Sequence, residues 1–151
     1  MAYDLFIELL FEDFSEDELK ELLLYSQKIR FSSGDYIFKE GDISDSIYII
    51  FTGRIEVTTK TENKDKINLP IVLNGTVLGE IAFFDGKPRT ASARAIDNIE
   101  AMMFTHNSFE KMEDESPKIA IKFLKEIAKI TAERLRWADE KVKELIDNKD
   151  E

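Results

Sequence analysis

The 151-residue sequence has no cysteine and only one histidine, His106. The absence of cysteine excludes disulfides, thiolate metal ligands and a cysteine nucleophile. A lone histidine cannot form a metal centre that needs several histidines. Nothing else in the sequence indicates that it belongs to a Ser-His-Asp triad. These absences argue against a metal-dependent β-barrel enzyme, and we expect His106 to be structural and the chain to hold no metal.

Long apolar runs are missing as well. No stretch approaches the roughly 20 apolar residues that a membrane-spanning helix requires. The first residues, MAYDLFIELLFEDF, carry acidic side chains within the apolar run and no basic region before it, so they do not form a signal peptide. We therefore expect a soluble cytoplasmic protein that does not associate with membranes.

Positive charge is in short supply. The chain has 21 Lys and Arg against 31 Asp and Glu, which gives a formal net charge of −10. From Pro117 to Glu151 the two signs nearly balance, so the excess of negative charge lies in residues 1–116. Because affinity for nucleic acids comes largely from basic side chains that neutralise phosphates, this composition argues against nucleic acid as a partner.

All six glycines lie between Gly34 and Gly86, and they divide the chain into three parts. Residues 1–27 have apolar residues at helical spacing, with a capping box formed by Ser15 and Glu18. Residues 28–105 contain short β-rich runs between glycine turns, and residues 106–151 return to helical patterns. Many short strands joined by glycine turns favour a closed antiparallel roll or sandwich over a parallel sheet.

Several strands can be placed within this middle part. Ser46–Phe51 and Arg54–Thr59 flank a Thr52-Gly53 turn, which predicts a hairpin. The polar segment TENKDKIN is expected to be a loop at a hairpin tip. Further strands are predicted at residues 67–73, 91–96 and 100–104.

A long helix is predicted after Ser116-Pro117, where a capping residue precedes a proline at the first helical position. A heptad seam follows, in which apolar or small residues alternate spacings of four and three: Leu124, Ala128, Thr131, Leu135, Ala138, Val142 and Leu145. In the first half of this helix, extra apolar residues predict packing on the β-rich part: Ile119, Ile121, Phe123, Ile127 and Ile130. Beyond Arg134 the seam narrows between charged flanks, which favours a partner helix and a parallel homodimer.

The segment GEIAFFDGKPRTAS, residues 79–92, carries the chemistry of an anion site. Gly79 and Glu80 open a short helical turn whose free amides favour an anion. Arg89 adds a planar cation that can bind phosphate oxygens in a bidentate manner. Glu80 is acceptable beside an anion only if it faces another group, such as a sugar hydroxyl. A phosphate bonded to a ribose therefore satisfies both side chains.

The same segment, extended to GEIAFFDGKPRTASARA, resembles the phosphate-binding cassette of cyclic nucleotide-binding domains. Upstream motifs of that family are also present, at Gly34-Asp35-Tyr36-Ile37, Gly41-Asp42, Asp45–Ile50 and Gly53–Val57. The resemblance covers roughly residues 5–137. It implies a mainly β fold with flanking helices, in which an antiparallel, jelly-roll-like β-roll lies between N-terminal helices and a long C-terminal helix, and one domain of residues 1–151.

The resemblance also implies roles for individual residues. Glu80 would accept the ribose 2′-hydroxyl, and Arg89 would pair with the cyclic phosphate. The phosphate shell would be completed by Gly79, by the amides of Ile81, Ala82 and Ala91, and by the hydroxyls of Thr90 and Ser92. The ligand would be cAMP or cGMP, with no cofactor and no catalytic residue. Such a domain is a sensor that relays ligand binding to a partner or a dimer.

The choice of purine is left open by the sequence. Thr90 is compatible with either base, although threonine at this place resembles the guanine-selective regulatory domains. Thr131 and Ala132 occupy the stretch where bacterial activators carry a base-contacting Thr-Ser pair, so Thr131 can touch the base. Trp137 either stacks on the purine or, as we prefer, belongs to the core or to the dimer seam. Arg54 and Arg94 are expected to be solvated.

The downstream effector is not indicated either. No DNA-binding, kinase or channel segment follows the helix within this sequence, so the chain is either a free-standing module or a fragment. A different class of function also fits the pattern: a ligand-free β-roll that serves as a dimerisation scaffold. Calorimetry with cAMP and cGMP separates the two.

Overall fold

The computed structural model describes residues 11–60, 66–68 and 76–149. The described elements are, in order, α1 (Glu16–Leu23), β1 (Gln27–Phe31), β2 (Tyr36–Phe38), β3 (Ser46–Thr52), β4 (Ile55–Lys60), β5 (Lys66–Asn68), β6 (Thr76–Leu78), α2 (Glu80–Asp85), β7 (Ser92–Ala95), β8 (Ile99–Thr105), α3 (His106–Glu115) and α4 (Pro117–Lys149). The helix predicted before Ser15 lies almost entirely outside the described residues, as do most of the strand predicted at 67–73 and the first part of the TENKDKIN loop. The end of that loop and Ile67 lie in strand β5.

The strands form two four-stranded antiparallel sheets, with the orders β1-β8-β3-β6 and β2-β7-β4-β5. Side chains from both sheets meet in one apolar cluster, which includes Ile37, Ile50, Ile55, Ala93 and Ile99. A second cluster lies between the outer face of the first sheet and the helices. The chain is thus a mainly β fold with flanking helices and a long C-terminal helix, as predicted.

The predicted hairpin between Ser46–Phe51 and Arg54–Thr59 is wrong. β3 pairs with β6 and β8, whereas β4 pairs with β5 and β7 in the other sheet. Residues 46–51 are all buried, so this strand has cover on both faces and neighbours on both edges. Gly53 makes the corner between the sheets, with φ at 102° and no room for a β-carbon beside Ile99 and Asn98. A Thr-Gly pair therefore serves a corner as well as a hairpin turn.

Helix α1 begins with the predicted capping box, in which Ser15 and Glu18 each accept the other's backbone amide. Ser116 does precede the long helix, but its hydroxyl donates to Glu21 and also lies 2.8 Å from the Tyr25 hydroxyl. Its side chain therefore joins α1 to the start of α4, a role that a capping motif does not predict.

Helix α4 has two halves with different surroundings. In the first half Ile119, Phe123 and Ile127 are buried in the outer cluster and Ile130 packs against it, while Ile121 is 54% exposed, contrary to prediction. In the second half no residue is buried. The large apolar residues exposed there are Leu135, Trp137, Val142, Leu145 and Ile146. None of the helices in the described ranges is long and apolar enough to cross a membrane.

Candidate ligand-binding site

The site predicted at residues 79–92 is built around the buried side chain of Arg89, which is only 4% exposed. Its Nη1 donates to the Gly79 carbonyl at 2.8 Å and its Nη2 donates to the Ser46 carbonyl at 2.7 Å. The guanidinium lies 4.1 Å from the centre of the Phe38 ring, which covers one face. Arg89 is therefore held at the amino end of α2, with its orientation defined by both sheets.

Gly79 is the residue that makes this approach possible. Its φ is 84°, in the left-handed region, and a β-carbon built there would lie 2.4 Å from Arg89 Nη1. Only glycine satisfies both conditions. Gly79 is also the N-cap of α2 and supplies no side-chain cap, and the free amides predicted at the start of that helix stay a prediction.

The backbone of Arg89 is fixed as firmly as its side chain. Its amide donates to the Asp42 carbonyl at 2.8 Å, and its carbonyl accepts from the Gly41 amide at 2.9 Å. The turn of residues 39–42 thus clamps the cassette from the side. This arrangement explains why the Gly41-Asp42 motif, almost 50 residues upstream, belongs to the same site.

One atom of this arrangement is left without a partner. Arg89 Nε is buried and is the one buried side-chain nitrogen or oxygen without a hydrogen bond among the described residues. A buried donor without a partner is costly, and the cost is larger for a charged group. Burial lowers the pKa of Arg89, against the opposing effect of Tyr48, Asp45, Asp42 and Glu80. A guanidinium still stays protonated in proteins, so the site holds a desolvated cation with an unmet donor.

Glu80 is buried too, with 6% of its surface exposed, at the first position of α2. Its Oε1 accepts from Arg134 Nη1 at 2.8 Å. Arg134 lies in the second half of α4 and also donates from Nη2 to the Thr76 hydroxyl and the Val77 carbonyl. The described ion pairs thus join Glu80 to α4 and not to Arg89.

Arg134 is not among the residues predicted from the sequence. Thr131 is the residue of α4 predicted to reach the site, whereas the structure brings Arg134, one turn further, onto Glu80. The signal was present in the sequence: the apolar stripe Phe123, Ile127 and Ile130 continues at helical spacing to Arg134. A cation at the end of an apolar stripe indicates a buried acidic partner. Thr131 is half-buried, and its contact with a base stays a prediction.

The other predicted site residues surround the arginine in different ways. Ala82 and Ala91 are buried, whereas Ile81 and Thr90 are exposed. The Ser92 hydroxyl accepts from the Glu40 amide at 2.9 Å, so part of its hydrogen-bonding capacity is already used by the turn of residues 39–42. The Thr90 carbonyl accepts from the Thr59 hydroxyl. All of these residues lie near Arg89 in the sequence. The contacts predicted between them and a ligand stay predictions.

Aromatic side chains connect the cassette helix α2 to the long helix. Phe83 and Phe84 both contact Phe109 of α3, at ring-centre distances of 5.8 and 5.9 Å. Phe109 in turn lies 5.9 Å from Phe123 of α4. His106 stacks on Phe83 at 4.2 Å and lies 2.9 Å from its carbonyl through Nε2, which supports the structural role predicted for it. These contacts join α2 to α3 and α3 to α4.

The remaining candidates lie away from the arginine. Trp137 is 44% exposed with Lys141 over its ring, so it is not a core residue. Arg54 and Arg94 are exposed, as predicted, although Arg54 pairs with Asp97 at 2.8 Å and Arg94 donates to the Gly34 carbonyl. Within residues 11–60, 66–68 and 76–149 no cluster of acidic or histidine side chains could hold a metal ion.

The family comparison agrees with this geometry. The model of the cyclic nucleotide-binding domain matches residues 28–116, more than half of the chain. The chain belongs to the cyclic nucleotide-binding domain family. The match includes Arg89, Glu80 and the turn of residues 39–42, whereas Arg134 lies beyond its end.

Individual relatives extend the likeness to cyclic nucleotide-binding proteins over most of the chain. A "CRP-like cAMP-activated global transcriptional regulator" of Mycobacterium tuberculosis is 25% identical over 91% of the chain, which spans 59% of that protein's length. The catabolite activator protein of Thermus thermophilus is 25% identical with a TM-score of 0.76, over 90% of the chain and 62% of the solved chain. A cyclic nucleotide-binding domain from Methylobacillus flagellatus has the same fold, with a TM-score of 0.87 at 24% identity, over 93% and 82% of the two chains.

Proposed function

We propose that residues 1–151 form one cyclic nucleotide-binding domain that senses cAMP or cGMP and acts by binding rather than by catalysis. The observation that carries the proposal is the buried guanidinium of Arg89 with its unpartnered Nε, held at the amino end of helix α2, whose first amides we expect to be free donors. A cyclic phosphate supplies the anionic oxygens that these donors lack. The name of the mycobacterial relative supports cAMP as the first ligand to test.

In this proposal Arg89 binds the cyclic phosphate together with Gly79, the amides of Ile81, Ala82 and Ala91, and the hydroxyls of Thr90 and Ser92. Glu80 accepts the ribose 2′-hydroxyl. In the structure Oε1 of this carboxylate accepts from Arg134, so a ribose hydroxyl that binds Glu80 competes with Arg134 for it. Thr131 of α4 approaches the base.

The relay to α4 runs through two routes. Arg134 joins the ribose-binding carboxylate directly to α4, so a ligand that takes Glu80 changes what holds this helix. Ile81 and Phe84 are 49% and 46% exposed, so α2 can bury more apolar surface when it moves inward. A ligand shifts the equilibrium between helix positions only to the extent that it binds one of them more tightly. Hydrogen exchange in α4 that stays the same at saturating cAMP and cGMP would contradict the relay.

The output of the relay is a parallel homodimer through the distal seam, which comprises Leu135, Ala138, Val142 and Leu145. The three larger residues of this seam are more than half exposed. Val at an a position with Leu at the next d position favours two-stranded coiled coils. The seam lies about 90° around α4 from the face that packs on the β-roll, since successive residues turn by about 100°. A partner helix can therefore bind without displacing that face.

Calorimetry with cAMP and with cGMP tests the binding function. We expect heat of binding for the unmodified protein and a loss of at least about tenfold in affinity for Arg89→Lys, since lysine keeps the charge but loses the bidentate fork. Arg94→Lys is the matched control, because Arg94 is an exposed arginine in the adjacent strand β7, and its affinity should stay unchanged. Unfolding curves of both variants show whether they fold.

A ligand-free dimerisation scaffold is the alternative, and one observation favours it. Arg89 Nη1 and Nη2 and Glu80 Oε1 already have protein partners, so a ligand must compete with them. Absence of binding heat with both nucleotides, in a folded protein that still dimerises, would support the scaffold and reject the sensor.

A further inference from the structure

Arg134 belongs both to the candidate site and to the flank of the distal seam. It is the side chain that holds Glu80 in the ligand-binding site, and it is also the residue directly before Leu135 of the distal seam. In heptad terms Leu135 and Val142 are a positions, Ala138 and Leu145 are d positions, and Arg134 is therefore a g position. Residues at g and e flank the seam of a coiled coil and form its ion pairs between helices.

Asp139 is the e position that a parallel partner would bring opposite Arg134, because a g residue faces the e residue five positions further along the other helix. The pair has opposite charge and occurs twice in a symmetric dimer. Asp139 is exposed, and within the part of the chain that the structure describes it has no ion-pair partner. Arg134 keeps an Nε and an Nη1 hydrogen beyond its bonds to Glu80, Thr76 and Val77.

An antiparallel pair of helices would not bring opposite charges together, because g positions would then face g positions and e positions would face e positions. The g flank would meet residues of the set Arg134, Lys141 and Asn148, and the e flank would meet residues of the set Ala132, Asp139 and Ile146. Neither set contains opposite charges. The complementary charges thus favour a second copy of this chain, in parallel register, as the occupant of the distal seam.

We infer that Arg134 is shared between Glu80 of its own subunit and the partner's Asp139, so that nucleotide binding and dimerisation strengthen each other. A ribose that takes Glu80 removes one anionic partner from Arg134 and leaves the partner's Asp139 as the other. The free energy of that transfer couples nucleotide binding to dimerisation. By linkage, the factor by which nucleotide tightens the dimer is also the factor by which the dimer binds nucleotide more tightly than the monomer does. The inference rests on the proposed function for the nucleotide and on the distal seam for the dimer.

The first test needs no nucleotide. The dimer dissociation constant is measured by sedimentation equilibrium for the unmodified protein, Asp139→Asn and Glu140→Gln. Glu140 is the matched control because it is exposed, adjacent and on the helix side opposite the seam. We expect Asp139→Asn to weaken the dimer about threefold to tenfold through its two symmetric pairs, with no change for Glu140→Gln. Equal constants for the two variants, or a protein without a dimer, would overturn the inference.

The second test adds saturating cAMP, and cGMP in a parallel series. A nucleotide that binds should tighten the unmodified dimer about fivefold or more, and this gain should fall below about twofold in Asp139→Asn but not in Glu140→Gln. An undiminished gain in Asp139→Asn would overturn the coupling. If calorimetry shows that neither nucleotide binds, the proposed function and the coupling both fail, while the pairing of Arg134 with the partner's Asp139 is still decided by the first test.

Discussion

The two halves of helix α4 carry the same heptad seam but differ in what surrounds them. The first half, up to Ile130, buries Ile119, Phe123 and Ile127 against the β-roll. Ion pairs to distant residues also anchor it, since Lys122 bonds to Glu18 at 2.8 Å and Lys129 to Asp13 at 3.2 Å. The second half leaves its apolar residues exposed.

Among the described residues, the second half has a local ion pair between Lys141 and Glu144 besides the pair of Arg134 with Glu80. Arg134 lies at the boundary, where α4 leaves the β-roll. A continuous helix can thus be packed at one end and exposed at the other, with the ion pair between Arg134 and Glu80 at the junction.

The largest difference between the halves should be in monomer stability. Phe123 is fully buried and contacts the rings of Phe11, Phe104 and Phe109. We expect Phe123→Ala to reduce the free energy of unfolding by about 3–5 kcal/mol, measured by urea titration of dilute protein. Leu124→Ala, next to it but 38% exposed, should cost less than about 1 kcal/mol. Equal costs would mean that the first half is not anchored as described.

Dimerisation, in contrast to monomer stability, should depend on the second half of α4. Leu135 is 62% exposed and lies on the distal seam, whereas Trp137 is 44% exposed and lies off it. Leu135→Ala is truncated in both subunits, so we expect the dimer to weaken about tenfold to hundredfold by sedimentation equilibrium. Trp137→Ala should have little effect. A larger loss for Trp137→Ala would show that the partner covers another face.

The junction should be sensitive to loss of the arginine that marks it. Arg134→Gln leaves the buried carboxylate of Glu80 without its cation, and we expect it to cost about 1–2 kcal/mol in the free energy of unfolding. It should also speed hydrogen exchange in α4 beyond Ile130. Arg136→Gln, two residues further and exposed, is the control and should change neither quantity. Unchanged exchange in Arg134→Gln would remove Arg134 from the relay.

The smallest effect concerns the ion pair that anchors the first half. The hydrogen bond from Lys122 is the main reason why the pKa of Glu18 falls from 4.5 to about 2. Because the folded pKa is depressed, this contribution to stability is complete above about pH 4.5 and is lost as the pH falls towards about 2. Glu18→Gln keeps the capping box but lacks the charge.

The test is therefore the difference in unfolding free energy between the unmodified protein and Glu18→Gln as a function of pH. We expect this difference to be largest above pH 4.5 and to shrink steadily below it. A difference that does not vary with pH would show that the pair with Lys122 contributes nothing measurable.

Local features of the fold were predictable because neighbouring residues decide them. The capping box at Ser15, the start of α4 at Pro117 and the turn of α2 after Gly79 depend on hydrogen bonds within a few residues. The strands predicted at 91–96 and 100–104 differ from β7 and β8 by one residue at each end. The partners of β3 were not predictable, because strand pairing depends on residues far away in sequence.

The candidate site shows the same division. Its residue types, a glycine, a glutamate and an arginine in one short segment, indicate a phosphate and a sugar by chemistry alone. The sequence could not show that Arg89 is clamped by Gly41 and Asp42 or that one of its donors lacks a partner. It also could not show that Glu80 meets Arg134, since 54 residues separate the two in the chain.

The sequence by itself thus indicated the sheet-rich middle part and the heptad spacing, because local spacing and side-chain chemistry specify these features, and its motifs resemble the family that the comparison shows. Only the tertiary structure decided that half of α4 is packed and half exposed, and that Arg134 pairs with the buried Glu80 where the helix leaves the β-roll. The physical reason is that burial and ion pairing are properties of packed surfaces. Two segments far apart in sequence acquire them only when the fold brings them into contact.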